Sequence, residues 1–364
     1  MKIDQIVAIF NLLNVPKVGL QKVRNLVSKF NTPESIFSLS EQELCSVEGI
    51  DQKSAKAIRS FKDFEIGEKL AKETISYGIS IITLWDKEYP QLLKKIYDPP
   101  VLLFTIGKPL EKKEDAVAIV GTRSATQYGK RVTKKLATEL SSNNIVIVSG
   151  LARGIDTVAH TATVQNKQRT IAVLGSGLDI IYPSENRKLA ESILENGTIV
   201  SEFPIGTKPE ASNFPKRNRI ISGLCHATIV VEAGNKSGAI LTALNAVDQN
   251  RELFAVPGRI DDKQSLGCIR LIRNGAIPVQ NGEQVIDNIK NQLYHPISPV
   301  QQKILLDLTN EEQNVLKYLS NDPIHIDLLS EKSGIGVTSL LGILLSLELK
   351  GAIMQIGGKQ FVIL

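Results

Sequence analysis

From about residue 78 the chain alternates short apolar runs, rich in β-branched residues, with stretches in which apolar residues recur every three or four positions. The first pattern is typical of strands buried on both faces, and the second of amphipathic helices. Their alternation predicts βαβ units and a mostly parallel sheet. The predicted strands are 79–84, 101–105, 117–120, 145–148, 171–174, 198–200, 228–231, 253–256 and 276–279. The predicted helices are 127–143, 154–164, 186–196, 214–223, 238–249 and 283–292.

The first 77 residues have a different pattern, with apolar residues at helical spacing and little alternation. Segments 14–30 and 46–61 each combine an apolar residue, a turn containing Gly19 or Gly49, and a basic amphipathic helix. This pattern resembles the helix-hairpin-helix family, in which backbone N–H groups of the turn meet a DNA phosphate. Two packed hairpins without a ligand explain the pattern equally well.

The C-terminal part reads as a linker, 293–309, followed by a small domain, 310–364. The small domain has helices followed by a two-stranded ribbon around Gly357 and Gly358, which is the order of a winged helix. We therefore predict an α/β protein. Its Rossmann-like, doubly wound and mostly parallel sheet, 78–292, lies between a helical domain, 1–77, and the winged helix.

Composition sets limits on function. A chain of 364 residues with 42% hydrophobic residues should form two or three globular domains. The net charge of +5 permits an anionic partner without requiring one. The three cysteines form no CxxC pair, so we predict no metal site and a reduced, cytoplasmic compartment. The N-terminus is a poor signal peptide, and no apolar run is long enough for a membrane span.

Polar, Gly-rich turns follow six of the predicted strands, at 121–126, 149–156, 175–179, 201–206, 232–238 and 257–259. Because parallel strands place their carboxyl ends at one edge, we expect all six turns to converge on one site. Turns of this kind aim N–H groups and helix N-termini at an anion, and Ser149, Ser176 and Ser237 would add hydroxyl donors. Phosphate is the expected ligand, although any Rossmann-like sheet also needs tight turns.

The spacing of these turns does not match a cofactor motif. GSGLDI has Ile180 where a dinucleotide fingerprint needs a small residue, and GNKSG has one residue between Gly234 and Lys236, too few for a P-loop. None of the four histidines has a triad setting. Strand-end acids such as Asp156 are expected to orient loops or arginines. We predict no cofactor, no catalytic residue and no enzymatic activity.

The stretch NFPKRNRII predicts a basic helix, 214–223, with Asn213 as its N-cap. Arg217 shares a face with two isoleucines, so we expect it to be half buried. Lys216 and Arg219 project from another side and should be free to meet phosphate.

Phe214 stands beside these cations, as a base-stacking ring does in single-stranded nucleic-acid sites. An alternative remains open on the residues alone. Phe214 would then anchor the core, and Arg217 would pair with Glu202 or Glu232.

Several segments together resemble one family: VAIVGTRSATQYGK, IVSGLARGIDTVAH, TIAVLGSGLDIIYPSENRKL, SEFPIG, NFPKRNRIISGL, VVEAGNKSGAILTA and FAVPG, in order from 117 to 258. They are similar to the DNA-processing protein A family (DprA, also called Smf), and the flanking domains are similar too. The resemblance implies a homodimer that binds incoming single-stranded DNA in a basic pocket and loads the RecA recombinase during natural transformation. The predicted DNA-binding residues are Gly121, Thr122, Arg123, Ser149, Gly150, Arg153, Gly154, Gly175, Ser176, Phe214, Lys216, Arg217, Asn218, Arg219, Lys236, Ser237 and Gly238.

Three positions depart from the family pattern. Thr122 replaces a serine before the pocket arginine, His226 stands where an acidic residue is frequent, and Ile269 stands where asparagine is usual. The apolar last helix of the winged domain predicts a role in protein contact or weak DNA contact, not sequence-specific duplex binding.

Two other functions remain as alternatives. One is a nucleotide-processing hydrolase resembling the lysine-decarboxylase-like phosphoribohydrolases, whose PGGxGT motif has the counterpart EAGNKSG here. The other is a scaffolding dimer, which would leave Arg123, Arg217 and Lys236 without a shared partner.

Overall fold

A computed structural model describes residues 2–295, 309–320, 323–350, 352–356 and 359–363. The chain forms two compact units, Met1–Pro296 and Ile297–Leu364.

The first unit begins with a group of short helices that shares a hydrophobic core with the sheet. The ring of Phe10 stacks on that of Phe104, with 6.0 Å between their centroids. Arg24 forms an ion pair with Asp98 and donates a hydrogen bond to the carbonyl oxygen of Pro99 at 2.9 Å. The helices are α1 (Ile3–Asn14), α2 (Leu20–Phe30), α3 (Glu41–Cys45), α4 (Gln52–Arg59) and α5 (Glu65–Ser76), with a 3-10 helix at Pro33–Ser38.

A nine-stranded sheet forms the centre of the first unit. Its strands are β1 (Ser80–Thr83), β2 (Leu102–Gly107), β3 (Ala116–Val120), β4 (Val146–Ser149), β5 (Thr170–Leu174), β6 (Thr198–Ser201), β7 (Ala227–Val230), β8 (Glu252–Ala255) and β9 (Ile277–Pro278). The spatial order is β1-β2-β6-β5-β4-β3-β7-β8-β9. Strand β2 is antiparallel to both of its neighbours, β1 and β6. The other seven strands, which in spatial order are β6, β5, β4, β3, β7, β8 and β9, run parallel to one another. The order reverses direction at β3, between β4 and β7, so a ligand crevice is expected there.

The helices that cover the sheet are α6 (Gln91–Lys94), α7 (Gln127–Ser142), α8 (Ile155–Gln165), α9 (Arg187–Asn196), α10 (Asn213–Gly223), α11 (Gly238–Asp248), α12 (Leu266–Arg273) and α13 (Gly282–Ile289). All nine predicted strands and all six predicted helices of this region are confirmed, and their ends agree within about three residues. Helices α6 and α12 and the antiparallel direction of β2 were not predicted. Asn213 is the first residue of α10, and the N-cap is Ser212.

The second unit is the predicted winged helix. It consists of α14 (Asn310–Leu316), β10 (Ile324–His325), α15 (Ile326–Ser333), α16 (Val337–Leu349), β11 (Ile353–Ile356) and β12 (Gln360–Ile363), and strand β10 was not predicted. The strands form an antiparallel sheet in the order β10-β12-β11. Most of the predicted linker, 296–308, and the ribbon turn at 357–358 lie outside the described residues.

Helix α16 has two apolar faces. Leu340 and Leu344 are buried in the core of the unit, whereas Leu341 and Leu345 are exposed. In the part of the chain that the structure describes, no single helix is long and apolar enough to cross a membrane, although α15 and α16 together pass that test as a bent pair.

Glu312 fastens α14 to α16 and should make this unit sensitive to acid. Its carboxylate accepts hydrogen bonds from Lys350 Nζ and Ser346 Oγ, both at 2.7 Å, and these bonds lower the pKa of Glu312 to about 2. An unfolded glutamate titrates near pH 4.3, so this stabilisation is complete above that pH and is lost as the pH falls towards 2. We therefore expect the melting temperature of this unit, followed through the methyl NMR signal of Ile353, to fall as the pH is lowered from about 4.3 to about 2.

The Glu312→Gln variant provides the control. Its melting temperature should be lower than that of wild type at pH 7. Between pH 4.3 and 2 its melting temperature should change much less with pH than that of wild type. An unchanged dependence in the variant would exclude Glu312 as its source.

Candidate functional site

An open cavity of about 450 Å³ lies at the carboxyl end of β3, where the strand order reverses. Three of the six predicted turns line it: those that follow β3, β4 and β7. Of the other three turns, the one after β5 reaches the cavity edge because Gly175 lies against Phe214, whereas the turns after β6 and β8 do not line the cavity. Among the lining residues are Gly121, Thr122, Arg123, Ala152, Asp156, Phe214, Arg217, Asn218, Lys236, Ser237, Gly238 and Gln264.

Arg217 forms the buried floor of this cavity. Its side chain leaves α10, and Nη1 donates to the carbonyl oxygens of Gly150 at 2.5 Å and Val173 at 2.6 Å. Burial lowers the pKa of Arg217 to about 10, while nearby Asp156 acts to raise it. The guanidinium therefore stays charged at neutral pH and ties α10 to the ends of β4 and β5.

Asp156 is a buried carboxyl group that interacts electrostatically with this guanidinium. It accepts backbone hydrogen bonds from Gly150 at 3.0 Å and Ala152 at 3.4 Å. Burial raises the pKa of Asp156, and the charge of Arg217 opposes that rise. Arg217, predicted to be half buried, is only 5% exposed, and the alternative partners, Glu202 and Glu232, are wrong. Glu202 binds Arg219, and Glu232 accepts hydrogen bonds from Thr126.

Phe214 is half buried at the edge of the cavity, on the first turn of α10. The guanidinium carbon of Arg123 lies 5.4 Å from the ring centroid, and that of Arg217 lies 5.8 Å away. Gly175 makes room for this ring, because a Cβ there would lie 3.1 Å from Phe214. The ring is thus held by cations and is available to a flat ligand.

The mouth of the cavity carries two exposed cations, Arg123 and Lys236. Lys236 comes just before the N-cap of α11, Ser237, whose hydroxyl accepts from the backbone N–H of Ala239 at 3.3 Å. Asn218 donates to the carbonyl oxygen of Gly238 at 3.3 Å and joins α10 to α11. A helix N-terminus and two mobile cations around an aromatic ring suit an anionic ligand that carries a flat group.

Two predicted hydroxyl donors are engaged inside the fold. Ser149 Oγ donates to the carbonyl oxygen of Ile119 at 2.6 Å, and Ser176 Oγ donates to that of Ile180 at 2.7 Å. Both serines are buried, so the prediction that they donate to a ligand is wrong. Gly154 has a structural role as well, because its φ of +78° is left-handed and a Cβ would overlap the turn at Thr122.

Arg219 is not the free cation that helical spacing predicted. Its Nη2 binds Glu202 at 2.5 Å, and its Nε lies 3.4 Å from Asp98. Only 13% of its side chain is exposed. Asp98 also pairs with Arg24 of α2, so the network joins the N-terminal helices to the helix that bears the cavity floor.

The Arg219→Gln substitution should destabilise the first unit by about 3 kcal/mol, because it leaves Glu202 buried without its cation. Burial already raises the pKa of Glu202, and Arg219 acts to lower it. Urea unfolding followed by circular dichroism would measure the loss. The double variant Glu202→Gln, Arg219→Gln should recover part of it, and equal midpoints for wild type and Arg219→Gln would contradict the pairing.

Two other predicted residues lie beside the cavity. Lys216 is exposed on α10 and is not among the residues that line it. Arg153 is exposed, pairs with Glu185 and borders a smaller cavity on the other side of Phe214. That cavity includes Tyr182, which the sequence did not single out although it stands in the quoted segment IIYPSENRKL.

The histidines and acids of the first unit have structural contacts. His160 is buried, its Nδ1 lies 2.8 Å from Thr170 Oγ1, and burial lowers its pKa to about 3. His226, one of the unusual positions, lies 3.1 Å from Asp115. Among the described residues, no group of three or more histidine, cysteine or acidic side chains could hold a metal ion.

Family models match three parts of the chain. The model described as DNA recombination-mediator protein A matches residues 80–290, a SAM-like helix-hairpin-helix tandem matches 10–61, and a DprA winged helix domain matches 301–359. The DNA processing protein DprA of Bacillus subtilis is 40% identical over 269 residues, which cover 73% of this chain and 90% of that protein.

Two solved structures are similar to this one. DNA processing protein A from Streptococcus pneumoniae aligns with a TM-score of 0.68 and 34% identity, over 79% of this chain and 98% of that one. DNA processing protein A from Helicobacter pylori aligns with a TM-score of 0.53 and 32% identity, over 59% and 97% of the two chains.

Proposed function

This chain belongs to the DNA recombination-mediator protein A family, whose members process DNA in recombination, and we propose that it binds single-stranded DNA without sequence preference. The observation that carries this proposal is the cavity at β3, which combines Phe214 with the exposed cations Arg123 and Lys236. Stacking on a ring and neutralisation of phosphates are the two contacts that bind single strands. The relative from Helicobacter pylori binds single-stranded DNA, which supports the same role here.

Sequence independence follows from how the polar side chains of the cavity are used. Asn218, which could read a base edge, donates to Gly238 and accepts from Arg217 at 3.2 Å. Arg217 is committed to two backbone carbonyls. The groups left for the ligand include a ring, two exposed cations and a helix N-terminus, and these recognise any base and any phosphate.

We propose a binding role and not a catalytic one. A hydrolase of nucleotides would need a carboxylate that activates water or attacks the ribose. The carboxylate that lines the cavity, Asp156, is buried and is bound by two backbone N–H groups beside Arg217. The hydrolase alternative predicts release of free base from a nucleoside monophosphate, which a chromatographic assay would detect.

We propose that in the cell this protein protects incoming single-stranded DNA and loads the RecA recombinase onto it, both in natural transformation and in general recombination. We place it in the cytoplasm, where RecA acts and where the free thiols Cys45, Cys225 and Cys268 would persist. We also propose a homodimer. Its support is the exposed apolar face of α11, formed by Leu241, Leu244 and Val247.

The test is a titration of labelled oligothymidylate and of a duplex of equal length, by fluorescence anisotropy, at several salt concentrations. We expect tighter binding of the single strand, with an affinity that falls steeply as salt rises because phosphate neutralisation releases counterions. Filament assembly of RecA on strands covered by a single-strand-binding protein would test loading. Absence of oligothymidylate binding at low salt would overturn the proposed function.

A further inference from the structure

A second, smaller cavity of about 40 Å³ adjoins the first, on the side of Phe214 that faces Tyr182. The residues that border it include Arg123, Arg153, Tyr182, Pro183, Phe214 and Arg217. Arg123, Phe214 and Arg217 border both cavities, so they form a shared wall. A chain-like ligand that leaves the larger cavity across this wall arrives at Tyr182.

Tyr182 is exposed although it takes part in an aromatic contact. The residue is 44% exposed, and its ring centroid lies 5.8 Å from that of Phe214 with the planes tilted by 42°. This is the spacing of two rings in direct contact, so no base can insert between them. The ring of Tyr182 therefore offers only its outer surface for stacking.

The segment that carries Tyr182 is fastened to the loop after β4 and to α8. Asn186 is buried and donates through Nδ2 to the carbonyl oxygen of Leu151 at 2.8 Å and to Thr157 Oγ1 at 2.9 Å. Pro183 is buried as well. These contacts hold the ring in place before a ligand arrives, which lowers the entropy cost of binding.

Cations accompany the exposed ring. Arg153 borders the small cavity, and its ion pair with Glu185 is exposed at both ends, with 63% and 58% of the two side chains accessible. Such a pair is weak in water and can exchange Glu185 for a phosphate. Arg123 lies between the two cavities and can reach a phosphate on the boundary.

We propose that Tyr182 and Arg153 form a second nucleotide subsite, in which a base stacks on the outer surface of Tyr182 and its phosphate contacts Arg153. The neighbouring nucleotide occupies the larger cavity beside Phe214. This assignment rests on the proposed binding of single-stranded DNA and gives the bound strand a path across the protein, from Lys236 past Arg123 to Tyr182.

The test compares Tyr182→Ala, Tyr182→Phe and the control Tyr97→Ala, whose tyrosine is 95% exposed on another part of the first unit. A stacked base contributes about 1–3 kcal/mol, so Tyr182→Ala should weaken oligothymidylate binding by about 5-fold or more, while Tyr182→Phe and Tyr97→Ala should bind like wild type. Wild-type affinity in Tyr182→Ala would overturn the subsite.

A second measurement uses the unaltered protein. Oligonucleotides that carry one 5-iodouracil, irradiated in the complex, should form a crosslink that mass spectrometry locates at Tyr182. Crosslinks confined to residues of the larger cavity would overturn the subsite while leaving the proposed function intact. A wild-type protein that does not bind the oligonucleotide at all would instead refute the proposed function.

Discussion

The Arg217→Ala variant is expected to lose about 3–5 kcal/mol of stability, because it removes a buried cation that stabilises Asp156 electrostatically and binds two buried carbonyl oxygens. The substitution removes the positive charge that lowers the pKa of buried Asp156, so its carboxylate loses electrostatic stabilisation. It also leaves the carbonyl oxygens of Gly150 and Val173 without the donor at 2.5–2.6 Å that now binds them. Since a domain is stable by only about 5–15 kcal/mol, this loss would bring the first unit close to unfolding.

Urea unfolding would measure this effect as a lower midpoint. The matched control is Arg259→Ala, which removes an arginine from an exposed ion pair with Asp261 and should leave the midpoint nearly unchanged. Lysine should not restore Arg217, because an ammonium cannot copy the planar fork of a guanidinium. A midpoint for Arg217→Ala equal to that of wild type would show that the buried network does not stabilise the fold.

The double variant Asp156→Asn, Arg217→Met separates the effect of the unpaired carbonyls from the effects of charge and packing. It removes both buried charges while keeping a side chain of similar length, so it should be more stable than Arg217→Ala. If the double variant is no more stable, neither the carboxylate nor the lost packing is the source, and the loss comes from the unpaired carbonyls of Gly150 and Val173.

The sheet could be predicted from the sequence because its strands are short, apolar and separated by strong turn signals. Strands such as Ala116–Val120 are buried along their whole length, and that environment leaves an uninterrupted apolar run. The direction of β2 could not be predicted in this way. An apolar run is compatible with either orientation, and the choice is made by pairing with β6, almost a hundred residues away.

The site was only partly predictable, for a related reason. The apolar neighbours of Arg217 on α10 fixed its burial, but nothing local showed that Arg219 would meet Asp98, a partner brought in by the loop before β2. Ser149 and Ser176 illustrate another limit. The hydroxyl of a serine at a strand end can point towards a ligand or donate to a backbone carbonyl nearby. Both of these hydroxyls donate to backbone carbonyls.

The structure also changes how the family motifs are interpreted. Arg217, Asn218 and Gly175 are part of the framework around Phe214, whereas Arg123 and Lys236 are the motif cations left exposed at the cavity. Binding energy should therefore depend on the latter pair, and fold stability on the former group. We therefore expect variants of the framework residues to lose stability in urea unfolding, and variants of Arg123 and Lys236 to lose affinity in DNA-binding titrations.

The Arg123→Ala and Lys236→Ala variants are accordingly expected to keep the stability of wild type and to lose affinity for single-stranded DNA. A hydrogen bond between charged groups contributes about 1.5–3 kcal/mol, so each variant should bind oligothymidylate about 10- to 100-fold more weakly at low salt. Each lost phosphate contact should also reduce the slope of log K against log salt by about 0.7. The double variant should lose about twice that slope.

The control for this experiment is Lys72→Ala, which removes one exposed positive charge from α5 and should change neither affinity nor slope appreciably. Comparison with this variant separates phosphate contacts from the general effect of net charge. If Arg123→Ala and Lys236→Ala weaken binding but leave the salt slope unchanged, they do not act as phosphate ligands. If Lys72→Ala weakens binding equally, the strand is held by diffuse charge and not in the cavity at β3.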